Sequence, residues 1–223
     1  MTSHAVIAPL GFAVALALAG PAAFADPRTL LDDVPASLRL GPGGQPLTAE
    51  QTIRLLDGKT LSGLLEGQGH AESSVVVAIV DATPTDVYKT LRDYPHFHEY
   101  MPHVSSATVD SHAGNVWLVS VKVHGALGLG DREYQLRIVD EKRKVAGKEV
   151  LVSRFEFTGK GNIKASKGAW TLVPLSAGTK TFATYSDNLD PGGAIPHDLK
   201  SHMVLNGLED AMEAVQKHSG ARH

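Results

Sequence analysis

SVVVAIVDATPTDVYKTLRDYPHFHEYMPHV, Ser74 to Val104, changes period partway along, and that change decides how the chain is organised. At its start Val75, Val77 and Ile79 alternate with Val76, Ala78 and Val80, so both faces are apolar. That is the pattern of a strand buried on both sides or nearly so. Asp81-Ala82-Thr83-Pro84 then opens a helix, with Thr83 as cap and Pro84 at the first helical position, where its missing N–H costs nothing. Val87, Leu91, Tyr88 and Tyr94 give this helix an apolar side, and Pro95 ends it.

The end of the same stretch, DYPHFHEYMPH (93–103), spaces its histidines as H-x-H-x4-H. Ligands at i and i+2 share a side only in an extended strand, whereas a proline-broken helix and a turn are expected here, so zinc or copper would require an extended loop. Rim histidines with Phe97, Tyr100 and Met101 as apolar neighbours suit the edge of a pocket. A histidine titrating near neutral pH, as a latch, is the other reading.

Towards the C-terminus the period stays at two. NVWLVSVKVHG (115–125) sets Trp117, Val119, Val121 and Val123 against Leu118, Ser120 and Lys122. DREYQLRIVD (131–140) sets Arg132, Tyr134, Leu136 and Ile138 against Glu133, Gln135 and Arg137. EVLVSRFEFTG (149–159) sets Leu151, Phe155 and Phe157 against Arg154 and Glu156, and GAWTLVPL (168–175) and TKTFATYSDN (179–188) complete the series. Such alternation marks an antiparallel sheet with one wetted face. A helix follows over roughly Pro196 to Lys217, with Val204, Leu205, Leu208, Ala211, Met212 and Val215 on one stripe. Extending the stripe backwards adds Ser201 and His197.

Towards the N-terminus, residues 26–47 are rich in Pro and Gly without a sustained period and read as a linker or a loosely packed arm. Thr48 and Gln51 form a capping box before Ile53, Leu55 and Leu56, and Gly58 stops that short helix. The first 25 residues read as a signal peptide. Leu10–Ala19 is a ten-residue apolar run, too short to span a bilayer, and Ala23-Phe24-Ala25 offers a small-x-small cut before Asp26, although the preceding residues carry no Lys or Arg. The expected division is 1–25 signal peptide, 26–69 arm with a short helix and 70–219 globular domain, in the periplasm or secreted.

The 223-residue chain has 21 Lys and Arg against 24 Asp and Glu, a net charge of −3, and no basic footprint for nucleic acid. It has no cysteine, which excludes disulfides, thiolate metal sites and thiol nucleophiles. Gly58-Lys59-Thr60 lacks the first glycine of a phosphate loop, since position 53 is Ile, and GALGLGDR (125–132) lacks dinucleotide-fingerprint spacing. There is no G-x-S-x-G elbow. Arg132 on an apolar face is the informative residue, because a guanidinium is not left unpaired in a dry core. It forms an internal ion pair with Asp131, Asp187 or Glu156, or it lies on a cavity floor and meets a polar ligand head.

Residues 75–104 resemble the opening strand and paired helices of START-like lipid-binding domains, the superfamily that also holds the polyketide cyclases and the birch-pollen-allergen fold. GDREYQ (130–135) is similar to the family's Asp-Arg-aromatic element. GAWTLVPLSAGTKTFATYSDNLDPGGAIPHDL (168–199) is similar to its ending, and the match covers roughly residues 70–218. Bacterial relatives often carry Trp after Gly-Gly and after Ile-Pro, where this chain has Ala194 and His197-Asp198; this bears on how tightly that end closes.

The resemblance implies an α+β helix-grip fold, a curved antiparallel sheet wrapped around a long C-terminal α-helix and enclosing an apolar tunnel. The wall is expected from Trp117, Arg132, Tyr134 and Phe155 on strands, Phe97, Tyr100 and Met101 in a cap, and His197, Ser201, Leu205 and Leu208 on the helix. The expected function is binding and transfer of a hydrophobic small molecule (lipid, sterol or isoprenoid) by a monomer that touches a membrane surface transiently. No metal, cofactor, catalytic group or nucleic-acid partner is assigned. The alternatives are a cyclase, aromatase or hydrolase using His98, His103 or His197 as base, and an interaction module with a filled core.

Overall fold

The computed structural model describes residues 27–66, 72–125, 130–193 and 196–220; the expected signal peptide and its cut after Ala25 lie outside the described residues. The described residues form eight antiparallel strands in the order β1-β2-β8-β7-β6-β5-β4-β3. These are β1 (Leu61–Glu66), β2 (Glu72–Val80), β3 (Val104–Ala113), β4 (Val116–Val123), β5 (Arg132–Val145), β6 (Lys148–Gly161), β7 (Lys167–Leu175) and β8 (Lys180–Asp187). The helices are α1 (Ala49–Leu56), α2 (Pro84–Thr90), α3 (Phe97–Tyr100) and α4 (His197–Gly220).

Local chemistry sets the elements as expected. In α1, Gln51 N–H donates to Thr48 Oγ1 (3.1 Å) while Thr48 N–H donates to Gln51 Oε1 (3.0 Å), closing the capping box. In α2, Thr83 Oγ1 accepts from Asp86 N–H at 3.2 Å behind Pro84. The two-sided apolar strand is β2. Val76, Ala78 and Val80 join the core beneath α4, and Val75 and Val77 join a second core on the opposite face of the sheet.

That second core corrects the reading of the N-terminal arm. Leu31 and Val34, each 2 % exposed, pack with Leu55 and Leu61 against Val75, Val77, Val150, Val173 and Phe182. The segment is part of the fold, because the outer face of the sheet is apolar at its centre and cannot be left in water. The boundary expected near residue 70 also shifts. β1 pairs with β2 from Leu61↔Val77 to Glu66↔Glu72 and belongs to the sheet. β3 was absent from the sequence reading. It is an edge strand exposed on both faces over most of its length, with register shifts at Val104/Ser106 and Val109/Ser111, and so shows no apolar alternation.

α4 lies on the concave face. Val204, Leu208, Met212 and Val215 are buried there, each worth about 1.5–3 kcal/mol against exposure. Its C-terminal end is pinned by Ser219 Oγ donating to Thr90 Oγ1 (3.0 Å) and by Gln216 Nε2 donating to the Ile79 carbonyl (3.0 Å). At the other end Lys200 pairs with Asp190 at 2.9 Å. No helix among the described residues is long and apolar enough to cross a membrane.

Candidate functional site

The sheet and α4 do not meet along their whole length, and the gap is a cavity of about 600 Å³. Alternation supplies its walls: Val119, Val121 and Val123 from β4, Arg132, Tyr134, Leu136 and Ile138 from β5, and Ser153 and Phe155 from β6. Trp170 on β7 and Tyr185 on β8 are stacked at 4.1 Å, and Phe155 leans on Tyr185 at 6.1 Å. Gly168 makes room for this arrangement, since a β-carbon there would stand 2.5 Å from the end of the Phe155 ring. The α4 side is formed by Met203, Val204, Gly207, Leu208 and Ala211, with Asn206 and Asp210 at its margin.

The histidine-rich stretch covers part of the cavity. Phe97, Met101, Pro102 and His103 line it, and Tyr94, Phe97 and Tyr100 make consecutive ring contacts at 5.1 and 5.7 Å. The three histidines diverge to separate carboxylates: His96 to Asp93 (2.6 Å), His98 to Glu99 (4.0 Å) and His103 to Asp210 (3.7 Å). Among the described residues no group of three potential ligands gathers to hold a metal ion.

Of the wall residues expected from the sequence, Phe97, Met101, Arg132, Tyr134, Phe155 and Leu208 line the cavity. Trp117, Tyr100, Ser201 and Leu205 do not. Trp117 stacks on His112 (3.5 Å) and donates its indole N–H to Asp140 (2.9 Å), while Tyr100 donates to the Thr90 carbonyl (2.7 Å) and stacks on His218 (3.9 Å). Both anchor elements to each other. Leu205 is half-buried one turn before Glu209, which accepts from Ser62 of β1. The side chain of His197 lies outside the described residues, as do Ala194 and Ile195. Arg132 Nε donates to the Pro191 carbonyl at 2.9 Å, tying the start of β5 to the turn that precedes α4.

The cavity also contains polar groups that the sequence reading missed. Arg92 and Ser153 line the cavity and connect it to Asp140 and Tyr88, which do not: Arg92 Nε donates to Asp140 (3.0 Å), a second guanidinium nitrogen reaches Asp140 and Ser153, and Tyr88 donates to Asp140 at 2.7 Å. Burial raises the Asp140 carboxyl, but the hydrogen bonds and charge of Arg92, with the Tyr88 hydroxyl, outweigh it and hold the group below the usual carboxylate range. Beside it the Tyr94 hydroxyl is buried with no hydrogen-bond partner among the described residues, open to an acceptor on a bound molecule.

A buried carboxylate, Asp187, lies on the inward face of β8 and lines the cavity with Ser166. It accepts from Ser166 Oγ (3.2 and 3.3 Å) and from Lys167 N–H (3.2 Å). Desolvation dominates these bonds and pushes its pKa up to about 7. Parity could have found both carboxylates. Asp140 continues the row 132-134-136-138, and Asp187 continues Ala183 and Tyr185.

A sequence model of the family described as polyketide cyclase/dehydrase and lipid transport matches residues 80–214. No curated protein matches the chain. Among solved structures, the STAR-related lipid transfer protein (fragment 25–204) of Xanthomonas axonopodis superposes with a TM-score of 0.62 at 24 % identity, covering 72 % of this chain and 93 % of that one. Human StAR-related lipid transfer protein 5 gives 0.60 at 12 % identity, with 74 % and 83 % covered. The Zhui aromatase/cyclase of Streptomyces sp. R1128 gives 0.54 at 13 % identity, with 69 % and 96 % covered. At these identities the shared property is the fold, a curved open antiparallel sheet with a C-terminal helix.

Proposed function

Because the chain belongs to the polyketide cyclase/dehydrase and lipid transport family, we propose that it is a carrier, and, from the apolar run Leu10–Ala19 and the Ala23-Phe24-Ala25 pattern, an exported one. It holds a hydrophobic small molecule, a lipid, sterol or isoprenoid, in its cavity and passes it on. The observation that carries this reading is the cavity of about 600 Å³ with apolar and aromatic walls. Ligand sites begin at about 300 Å³, so the volume argues against an interaction module with a filled core.

Binding works by solvent exclusion. Burying about 300–400 Å² of apolar ligand surface at about 25 cal/mol per Å² is worth roughly 8–10 kcal/mol before the cost of association. Before that cost it corresponds to a Kd of about 1 μM to about 50 nM. Loading requires the Phe97–His103 cap to part from α4, and an anchoring membrane surface is the natural place for a water-insoluble cargo to cross. The carrier acts as a monomer, and Arg132, which lines the cavity, donates a hydrogen bond to an oxygen of the ligand's polar head.

The test is mass spectrometry of an organic extract of the chain purified from its own host, against a matched exported control, with the mature N-terminus sequenced in parallel. One enriched lipid class, on a chain starting at Asp26, supports the proposal. An empty extract from folded protein counts against tight carriage, and an uncut N-terminus counts against export.

A cyclase-type activity in the same cavity is the second reading, favoured by His103 at the mouth 3.7 Å from Asp210. Of the other two expected bases, His98 does not line the cavity, and the side chain of His197 lies outside the described residues. Recovery of the co-purified compound at altered mass after prolonged incubation would assign catalysis; recovery unchanged assigns carriage.

A further inference from the structure

Two carboxylates, Asp187 on the cavity wall and Asp140 outside its lining, are treated differently by the fold. Asp140 is enclosed by Arg92, Tyr88 and Trp117, and its charge is neutralised inside the protein. Asp187, 5 % exposed, has Ser166 Oγ and one backbone N–H as donors, and among the described residues no cation pairs with it. Burying a carboxylate without a counter-charge is costly, and the fold gains only a short hydrogen-bonded link to Ser166 and Lys167 from it. A valine here would close the wall without the penalty. The polar group therefore has a use on its cavity side.

We propose that Asp187, supported by Ser166, is the polar anchor of the cavity and selects a ligand whose head group donates a hydrogen bond, a long-chain or polycyclic alcohol, over one ending in a carboxylate. The inference rests on the cavity being a ligand site and deepens that reading. An alcohol O–H satisfies the carboxyl oxygen turned to the cavity, whether or not Asp187 is ionised. A ligand carboxylate would set two like charges together in a site without water to screen them. The elements around Asp187 do not relieve that repulsion. Tyr134 from β5 and Tyr185 from its own strand are the titratable groups that feel its charge, and both are held neutral well above the usual tyrosine range, chiefly by burial. Arg132, Arg92, His103, His124 and Asp210 also line the cavity, and among the described residues no cation stands within ion-pair distance of Asp187. With Asp187 titrating near neutrality, rejection of carboxylates should strengthen as the pH rises through about 7.

The experiment uses delipidated protein loaded with a neutral solvatochromic dye, displaced by 1-dodecanol, dodecanoic acid or dodecane at pH 5.5 and 8.5, in wild type and Asp187→Asn. Dodecanol is expected to displace the dye equally well at both pH values. Dodecanoate is expected to be weaker than dodecanol at pH 8.5 by about tenfold or more in wild type, and this deficit to shrink in Asp187→Asn, which also corrects for titration of the acid itself. Equal displacement by dodecanol and dodecanoate in wild type at pH 8.5 overturns the proposal and leaves the cavity reading standing, a result that needs no variant. The same deficit in wild type and variant also overturns it. Failure of all three probes, dodecane included, removes the ligand site itself.

Discussion

Replacing Asp187 by asparagine should make the empty protein more stable at alkaline pH and slightly less stable in acid. The folded-state pKa is about 7 against an ordinary 3.8, a difference of about 3 units. At about 1.36 kcal/mol per unit, ionising the carboxyl within the fold carries a penalty of about 4 kcal/mol. The sign follows from proton counting. Between about pH 4 and 7 the folded chain holds a proton that the unfolded chain has released, so stability falls as pH rises across that window and levels off above it. Asparagine removes the titration but accepts fewer of the bonds from Ser166 and Lys167, a loss of about 1 kcal/mol. The variant should thus gain about 3 kcal/mol at pH 8.5, or roughly 6–12 °C in Tm for a chain of this size, and lose about 1 kcal/mol near pH 4. Urea and thermal unfolding of delipidated wild type and variant at pH 4.5, 6.5 and 8.5 would show it. A difference between the two proteins that stays constant within about 0.5 kcal/mol across that range would refute the assignment of Asp187 as a buried, unpaired acid.

Asp140→Ala should cost about 3–5 kcal/mol, because Arg92 keeps a buried charge without its counter-ion while Tyr88 and Trp117 lose their acceptor; Arg92→Met/Asp140→Leu should recover much of it, and thermal melts of the three variants decide. In wild type the contribution of Asp140 is fully present above about pH 4 and is lost as pH falls through its lowered value, which an acid titration of stability will detect. Gly207 lines the cavity, and a β-carbon built there meets nothing within 4 Å, so Gly207→Phe should leave Tm unchanged or higher, given the helix propensity lost at glycine (about 1 kcal/mol), while displacing-dye affinity falls at least about tenfold. Leu31→Ala should cost about 2–5 kcal/mol in urea unfolding; a change under about 0.5 kcal/mol would return the N-terminal arm to the status of a linker.

Much of the fold is local in origin and was legible. Period-two alternation identified β2 and β4 to β8, Thr83-Pro84 and the Thr48/Gln51 box placed two helix starts, and the 204-208-212-215 stripe placed α4 on the sheet. The same parity put Arg132, Tyr134 and Phe155 on the cavity wall, because side-chain direction in a strand follows from residue count alone. β2 even implied a covered outer face, although not that Leu31 and Val34 would cover it. Short apolar pieces without a period carry no address; the apolar sheet face they land on supplies it. Trp117 and Tyr100 have the composition of wall residues, yet the curvature of the sheet and the seating of α4 turn them to Asp140 and His218. Charge state was likewise a tertiary outcome. Asp140 and Asp187 are the same residue type in the same sheet, and the approach of Arg92 from a distant helix end to one of them and not the other makes one a structural anion and the other a neutral-range acid facing the cavity. A one-dimensional pattern determines which face a residue occupies, whereas what it meets there depends on segments brought together from 48 residues away and more, which only the folded chain decides.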